Sequence, residues 1–175
     1  TTDVNYFIEA SDGLNADKTT EHTIKVKEQE VDFNKVPQLL VTEVVPDSTN
    51  IGTADGFEYI EIYNNSNKDI NFKDYKLYYR YGTDPGTDVV WPSIPEDVVI
   101  PAGKTLVFWI INDQNGDATV ADFNANYGAN LVENEDIVRI YSGGMANGSM
   151  RGLVIGTNAH KEISLAYYNY EIGRA

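Results

Sequence analysis

A chain of 175 residues with 42% hydrophobic side chains is long enough for one ordinary domain, or one domain and a fragment, with a real core. Its 27 acidic residues outweigh 13 basic ones, and the net charge of -14 disfavours general binding to nucleic acids or to anionic membrane surfaces. Cysteine is absent, which removes disulfides, thiolate metal sites and cysteine nucleophiles together.

The first segment, Val4 to Ala10, alternates like a strand and stops at the turn signal Ser11-Asp12-Gly13. A polar loop leads to a second alternating strand, His22 to Lys27, with Ile24 and Val26 on one face. A lone hairpin is marginal in water. Residues 1–35 are therefore expected to be the closing hairpin of an upstream module, with the charged stretch Lys27 to Lys35 as linker. No basic-then-apolar leader opens the chain, and its start inside a strand pattern suggests a piece cut from a longer polypeptide.

From residue 36 the pattern is all-β. Leu39 to Val45 reads as a strand ending at Pro46-Asp47-Ser48, followed by a loop through Asn50, Gly52 and Gly56. In the stretch Phe57 to Tyr81, Ile60 and Ile62 share one strand face, while Tyr59, Glu61 and Tyr63 share the other. Asn64 to Asp69 is a polar turn, and Tyr75 to Tyr81 is a second, aromatic-rich strand. After the turn Gly82 to Gly86, short strands at Val89-Val90-Trp91 and Asp97 to Ile100 are confined to edges and corners by Pro92 and Pro95.

Thr105 to Ile111 is nearly continuous apolar, so it should be a central strand buried on both faces. Asn115-Gly116 closes it with a turn. A short helix follows, capped by Thr119 with Asp122 three residues on, with Val120, Phe123 and Tyr127 on one face and Gly128 after it. It is expected to plug one end of a sandwich. Asp136 to Tyr141 resumes the strands with Val138 and Ile140 inward, a flexible Gly-rich excursion follows, and Leu153 to Ile155 and Ile163 to Tyr168 complete the sheets.

Two blocks carry a family resemblance. Tyr59-Ile60-Glu61-Ile62-Tyr63-Asn64, then Ser66-Asn67, Asp69 and Tyr75, resembles the hallmark of lamin tail domains. Ile100 to Trp109, with its Ala-Gly turn before an apolar run ending in Trp, is similar to the family's later turn and strand. The resemblance implies an immunoglobulin-like β-sandwich over residues 36–175 with one short helix, preceded by the N-terminal hairpin of a fibronectin type III-like or bacterial Ig-like module. It also implies structural roles for Asn64 at the strand-end turn, Tyr75 as a core aromatic, Gly103 in the turn and Trp109 in or beside the core. The chain has no coiled-coil rod, basic nuclear signal or prenylatable C-terminal cysteine, so filament assembly and nuclear partners do not carry over.

Chemistry is thinly represented. His22 and His160 fall in different modules without a partnered nucleophile, and no serine sits in Gly-x-Ser-x-Gly. The run Tyr141 to Gly152 lacks the Lys-Ser/Thr of a phosphate loop and reads as a mobile loop. Asp113-x-Asn115-x-Asp117 begins like a calcium loop, but Ala118 and Asn124 stand where Gly and Glu are required, so an ordinary hairpin turn is the default. Glu133, Glu135 and Asp136 read as a solvated acidic face. No catalytic, cofactor-binding or metal-binding residue is assigned, and no cofactor is expected.

Aromatic residues give the binding signal. Tyr59, Tyr63, Tyr75, Tyr78, Tyr79 and Tyr81, with Trp91 nearby, exceed what a core needs, so some should be exposed for stacking on sugars or packing on protein. Cross-strand packing is the simpler use of such residues. Together with the resemblance, which implies an accessory module without an active site of its own, the expectation is a non-catalytic binding, adhesion or spacer module of a secreted or surface protein, and the acidic, cysteine-free composition suggests a Gram-positive bacterium. Its partners would be a surface protein or glycan and the neighbouring domains of its parent chain, with no nucleic acid and no membrane insertion. The alternative, implied by the resemblance because bacterial lamin tail domains accompany secreted hydrolases, is an accessory domain guiding substrate to a secreted phosphoesterase or nuclease whose catalytic domain lies outside these residues.

Overall fold

Period-two alternation decides where each strand can bury its side chains, and the architecture follows from that. The computed structural model describes residues 2–26 and 36–169. The chain divides into two units, Thr1–Val36 and Pro37–Ala175. The linker expected over residues 27–35 lies outside the described residues.

In the first unit, β1 (Thr2–Tyr6) pairs antiparallel with β4 (His22–Val26), and β2 (Glu9–Ser11) pairs with β3 (Ala16–Lys18). The expected strand over Val4 to Ala10 is thus broken at Phe7 and Ile8, and part of the expected polar loop is a strand. At the break Thr19 replaces the ladder: Ile8 N–H donates to Thr19 Oγ1 at 3.0 Å, and Thr19 N–H donates to the Ile8 carbonyl at 2.9 Å. The Asp12 carboxylate holds the tip, accepting from the Leu14 and Asn15 amides at 2.9 and 2.7 Å. Val4 stands opposite Ile24 on the face that also carries Tyr6 and Val26, with Asp3, Asn5, Thr23 and Lys25 on the other.

The second unit contains β5 (Leu39–Val45), β6 (Asn50–Ile51), β7 (Ala54–Asp55), β8 (Tyr59–Asn64), β9 (Ile70–Asn71), β10 (Tyr75–Tyr81), β11 (Asp88–Trp91), β12 (Ser93–Ile94), β13 (Val99–Ile100), β14 (Thr105–Ile111), α1 (Val120–Tyr127), β15 (Ile137–Tyr141), β16 (Arg151–Thr157) and β17 (Glu162–Tyr168). Single 3₁₀ turns cover Phe72–Asp74 and Pro85–Thr87. A four-stranded antiparallel sheet, β11-β10-β16-β17, faces a five-stranded sheet, β12-β15-β14-β8-β5. This is the expected all-β, immunoglobulin-like sandwich, with one helix among the described residues. Of the two expected short strands, Val89 to Trp91 falls in the edge strand β11, whereas Asp97 to Ile100 shortens to β13, which pairs with β9; β12, between Pro92 and Pro95, is a second edge strand that the sequence did not mark.

The central strand β14 explains the layering. Leu106, Phe108 and Ile110 point between the sheets to meet Leu77, Leu153 and Ile155, while Val107, Trp109 and Ile111 point outward. That outward face is covered by α1 through Val120 and Phe123, together with Phe57. The helix therefore lies on the outer face of the five-stranded sheet, not at one end of the sandwich as expected. The reason is twofold. β14 and β15 are parallel, and a parallel pair needs a crossover above the sheet. The apolar outer face beneath that crossover then needs a cover.

The helix ends are specified locally. Asp122 N–H donates to Thr119 Oγ1 at 3.3 Å, Thr119 N–H donates back to Asp122 Oδ2 at 2.8 Å, and Gly128 adopts φ +65°. Thr119→Ala is expected to lower stability by about 1 kcal/mol, read as a shift of the urea midpoint at unchanged slope.

Candidate functional site

The tyrosines expected on a binding surface are mostly turned into the protein. Tyr79 is 2% exposed, stacks on Trp91 at 4.1 Å, and shares a 2.7 Å hydrogen bond with the Tyr168 hydroxyl. Tyr78 is buried on the opposite face beneath the ring of His160 at 4.2 Å, and its hydroxyl donates to the Thr157 carbonyl. Tyr75 is half-buried against the core, as expected of it. Tyr81, at 49% exposure, is the member of the β10 series that reaches solvent. A second sheet covers one face of β10 and the 157–160 turn covers the other; alternation alone reveals neither cover.

Several polar groups are consumed by the fold. Arg80 is buried and grips Asp88 with two hydrogen bonds, Nε at 2.6 Å and Nη2 at 2.9 Å, and also reaches Glu162 at 3.0 Å. The Asp88 side chain is fully buried, and its other contact is His160 Nε2 at 2.8 Å. The Arg80 guanidinium holds the Asp88 carboxyl below the usual carboxylate range against the opposing effect of burial. His160 is thus placed as a lid over Tyr78 and a partner of Asp88.

The Asp113-x-Asn115-x-Asp117 segment is a strand-to-helix turn rather than a hairpin. Asn115 is buried: its amide donates to the carbonyls of Gly56 and Ile110 at 2.8 and 3.0 Å, and its oxygen accepts from Asn112 N–H at 2.7 Å. Its oxygen is therefore engaged within the turn. In the acidic cluster, Glu133 pairs with Arg139 at 2.9 Å, and Glu135 and Asp136 are exposed.

The Gly-rich excursion read as mobile is tied down. Met145 is buried, and its N–H donates to Glu58 Oε1 at 2.8 Å. Ala146 N–H donates to the Tyr79 hydroxyl at 2.9 Å, and Asn147 Nδ2 donates to Asp55 at 3.0 Å. The loop passes so close that a side chain at Gly144, which sits at φ +114°, would lie 3.1 Å from Glu58 Oε2.

Glu58 itself is 1% exposed, and burial, with Asp55 and Asp47 adding repulsion, pushes its carboxyl up to about 8. The folded chain then retains a proton that the unfolded chain releases near its ordinary 4.5. Stability should fall as pH rises from about 4.5 to about 8 and be insensitive to this group beyond. Glu58→Gln keeps an acceptor for Met145 N–H without the charge. Its stability relative to the parent is expected to improve steadily across that window in urea titrations; a pH-independent difference would refute the assignment.

Among the described residues, buried side-chain atoms of Ser142, Ser164 and Arg151 lack a hydrogen-bond partner, and the charged one of the three sits at the end of the four-stranded sheet. Arg151 is the register partner of Tyr81, and its guanidinium lies over the Tyr81 ring at 4.8 Å and within 5.9 Å of Tyr79. Nη1 donates to the Met150 carbonyl at 2.8 Å, while Nε–H has no acceptor among the described residues. Neither Arg151 nor the Arg80–Asp88 pair was identifiable in the sequence, because each is defined by a neighbour on another strand.

The family-implied structural roles have concrete geometry. Asn64 is fully buried at the end of β8, Gly103 turns at φ +67°, and Trp109 is fully buried with its indole N–H donating to the Gly56 carbonyl at 3.1 Å. No helix among the described residues is long and apolar enough to cross a membrane.

Over 168 residues the chain is 38% identical to the uncharacterized protein YvnB of Bacillus subtilis (strain 168), an alignment covering 95% of this chain. The chain spans only 13% of that relative's length. Residues 34–167 match the Lamin Tail Domain, and the chain belongs to that family.

Proposed function

We propose that this chain is a non-catalytic binding or adhesion module of a larger extracellular or surface-attached bacterial protein. The observation that carries the reading is the contrast between interior and rim. Interior polar groups such as Asn64, Arg80 and Asn115 are committed to structural bonds, while Tyr81 and Arg151 present an aromatic ring and a cation outside any ion pair among the described residues. The acidic, cysteine-free composition supports an extracellular setting, and the small share of YvnB that aligns supports a modular parent. The amphipathic hairpin of β1 and β4, with Val4, Tyr6, Ile24 and Val26 exposed on one face, supports its reading as the closing hairpin of a preceding Ig-like module.

The test is retention of the purified chain on bacterial cell-wall material and on a glycan panel, with and without calcium. Saturable retention is expected, and Tyr81→Ala should weaken it with the fold intact. A folded chain that binds nothing on either would leave a spacer role and end the recognition reading.

A further inference from the structure

The rim of the four-stranded sheet is organised in a way that favours one kind of ligand. Trp91, Tyr79 and Tyr81 form a continuous aromatic series, with Trp91 stacked on Tyr79 and Tyr79 meeting Tyr81 edge-on at 5.4 Å and 87°. Its inner members are locked in the core, so the outermost ring is held in place before any ligand arrives. The backbone of Tyr81 is fixed as well: its N–H donates to Thr87 Oγ1 at 3.1 Å, and that hydroxyl donates to the Tyr81 carbonyl at 2.9 Å.

Arg151 stands over this platform. Arg80 and Arg139 are both in ion pairs, whereas Arg151 is in none among the described residues. Its Nε–H is buried without an acceptor, a state relieved when a small rotation of the guanidinium presents the Nε and Nη2 edge to an anion. In a chain of net charge -14, long-range repulsion works against polyanions, so the fitting charge is a single one. A planar fork of donors suits a carboxylate, and an exposed tyrosine ring beside it suits the C–H face of a pyranose. Val89, the register partner of Tyr79, and Met150, whose carbonyl accepts from Gly82 N–H at 3.2 Å, are both exposed at this end of the sheet.

We infer that the Tyr81–Arg151 rim binds a carboxylated sugar residue, the Tyr81 ring stacking on the pyranose while the Arg151 guanidinium takes the carboxylate. This rests on the recognition reading above and names its ligand class. The test is an NMR titration of the isotope-labelled chain with three probes: methyl α-galacturonide, methyl α-galactoside, and an acetylated alanine tripeptide with a free carboxylate.

The galacturonide is expected to shift amide signals of Tyr81, Gly82 and Arg151, and the neutral galactoside to bind about ten-fold more weakly. Arg151→Met should remove that difference, and Tyr81→Ala should weaken both sugars. Equal binding of the two sugars, shifts centred elsewhere, or no shift with either sugar overturns the inference. Tighter binding of the tripeptide overturns it in favour of a peptide terminus. Retention on cell-wall material that survives both substitutions would sink this site and leave the module's recognition role standing.

Discussion

Asp88→Ala is expected to destabilise the sandwich by about 3–5 kcal/mol, because it takes from the buried Arg80 guanidinium its buried counter-charge and leaves it, among the described residues, the half-exposed Glu162 as ion-pair partner. Pairing, more than charge, is at stake, so Arg80→Met combined with Asp88→Leu should recover most of the loss. Chemical denaturation of the single and double variants separates the cases, and a single-variant loss under about 1 kcal/mol would show that Arg80 relaxes to solvent. The pH dependence has a definite sign. The Asp88 carboxyl is lowered, mainly by its hydrogen bonds to Arg80, so its contribution is complete above the ordinary value of 3.8 and is lost as pH falls through the lower folded value. The acid limb of the stability curve should accordingly be shallower in Asp88→Ala.

The second large effect is expected at Asn64. Its Nδ2 donates to the carbonyls of Lys68 and Ile100, both at 2.8 Å, and its Oδ1 accepts from Ser66 N–H at 3.0 Å and Ser66 Oγ at 2.7 Å. Truncation leaves a fully buried site with backbone groups unpaired, each worth about 1–3 kcal/mol, so Asn64→Ala should cost roughly 3–4 kcal/mol after partial relaxation of the loop. Asn64→Asp is nearly the same shape, yet it turns an acceptor toward two carbonyls and should be no milder. A variant that loses under about 1 kcal/mol by thermal or urea unfolding would show that water replaces the amide.

Asn64 also explains why the two recognisable sequence blocks are those particular residues. Its side chain bonds Ile100, its N–H donates to the Lys104 carbonyl at 2.9 Å, and its carbonyl accepts from Gly103 N–H at 3.0 Å. Asp69 adds a bond from Ala102 N–H at 2.9 Å. The turn after β8 and the turn before β14 are thus one clamp, written as two motifs some forty residues apart. Local signals of this type were legible: the strand faces of Ile60 and Ile62, the double-sided burial of β14, and both caps of α1.

Long-range placement was not. Alternation assigns Tyr78 and Tyr79 to opposite faces of β10 but carries no information about the two different covers that bury them. Glu58 looks like any acidic residue next to a strand, and only the return of the 142–150 loop makes it a buried carboxyl. The helix position followed from the parallel β14–β15 pairing, which no local pattern announces.

The edge strands β11 and β12 are joined directly through Pro92, although they belong to opposite sheets, while at the far side β17 and β5 meet without any such link. The sandwich is bound like a book, with a covalent spine at Trp91-Pro92-Ser93 and a fore-edge held by side-chain packing. Thermal breathing of the two sheets should therefore be asymmetric, hinging at the spine and opening between β5 and β17.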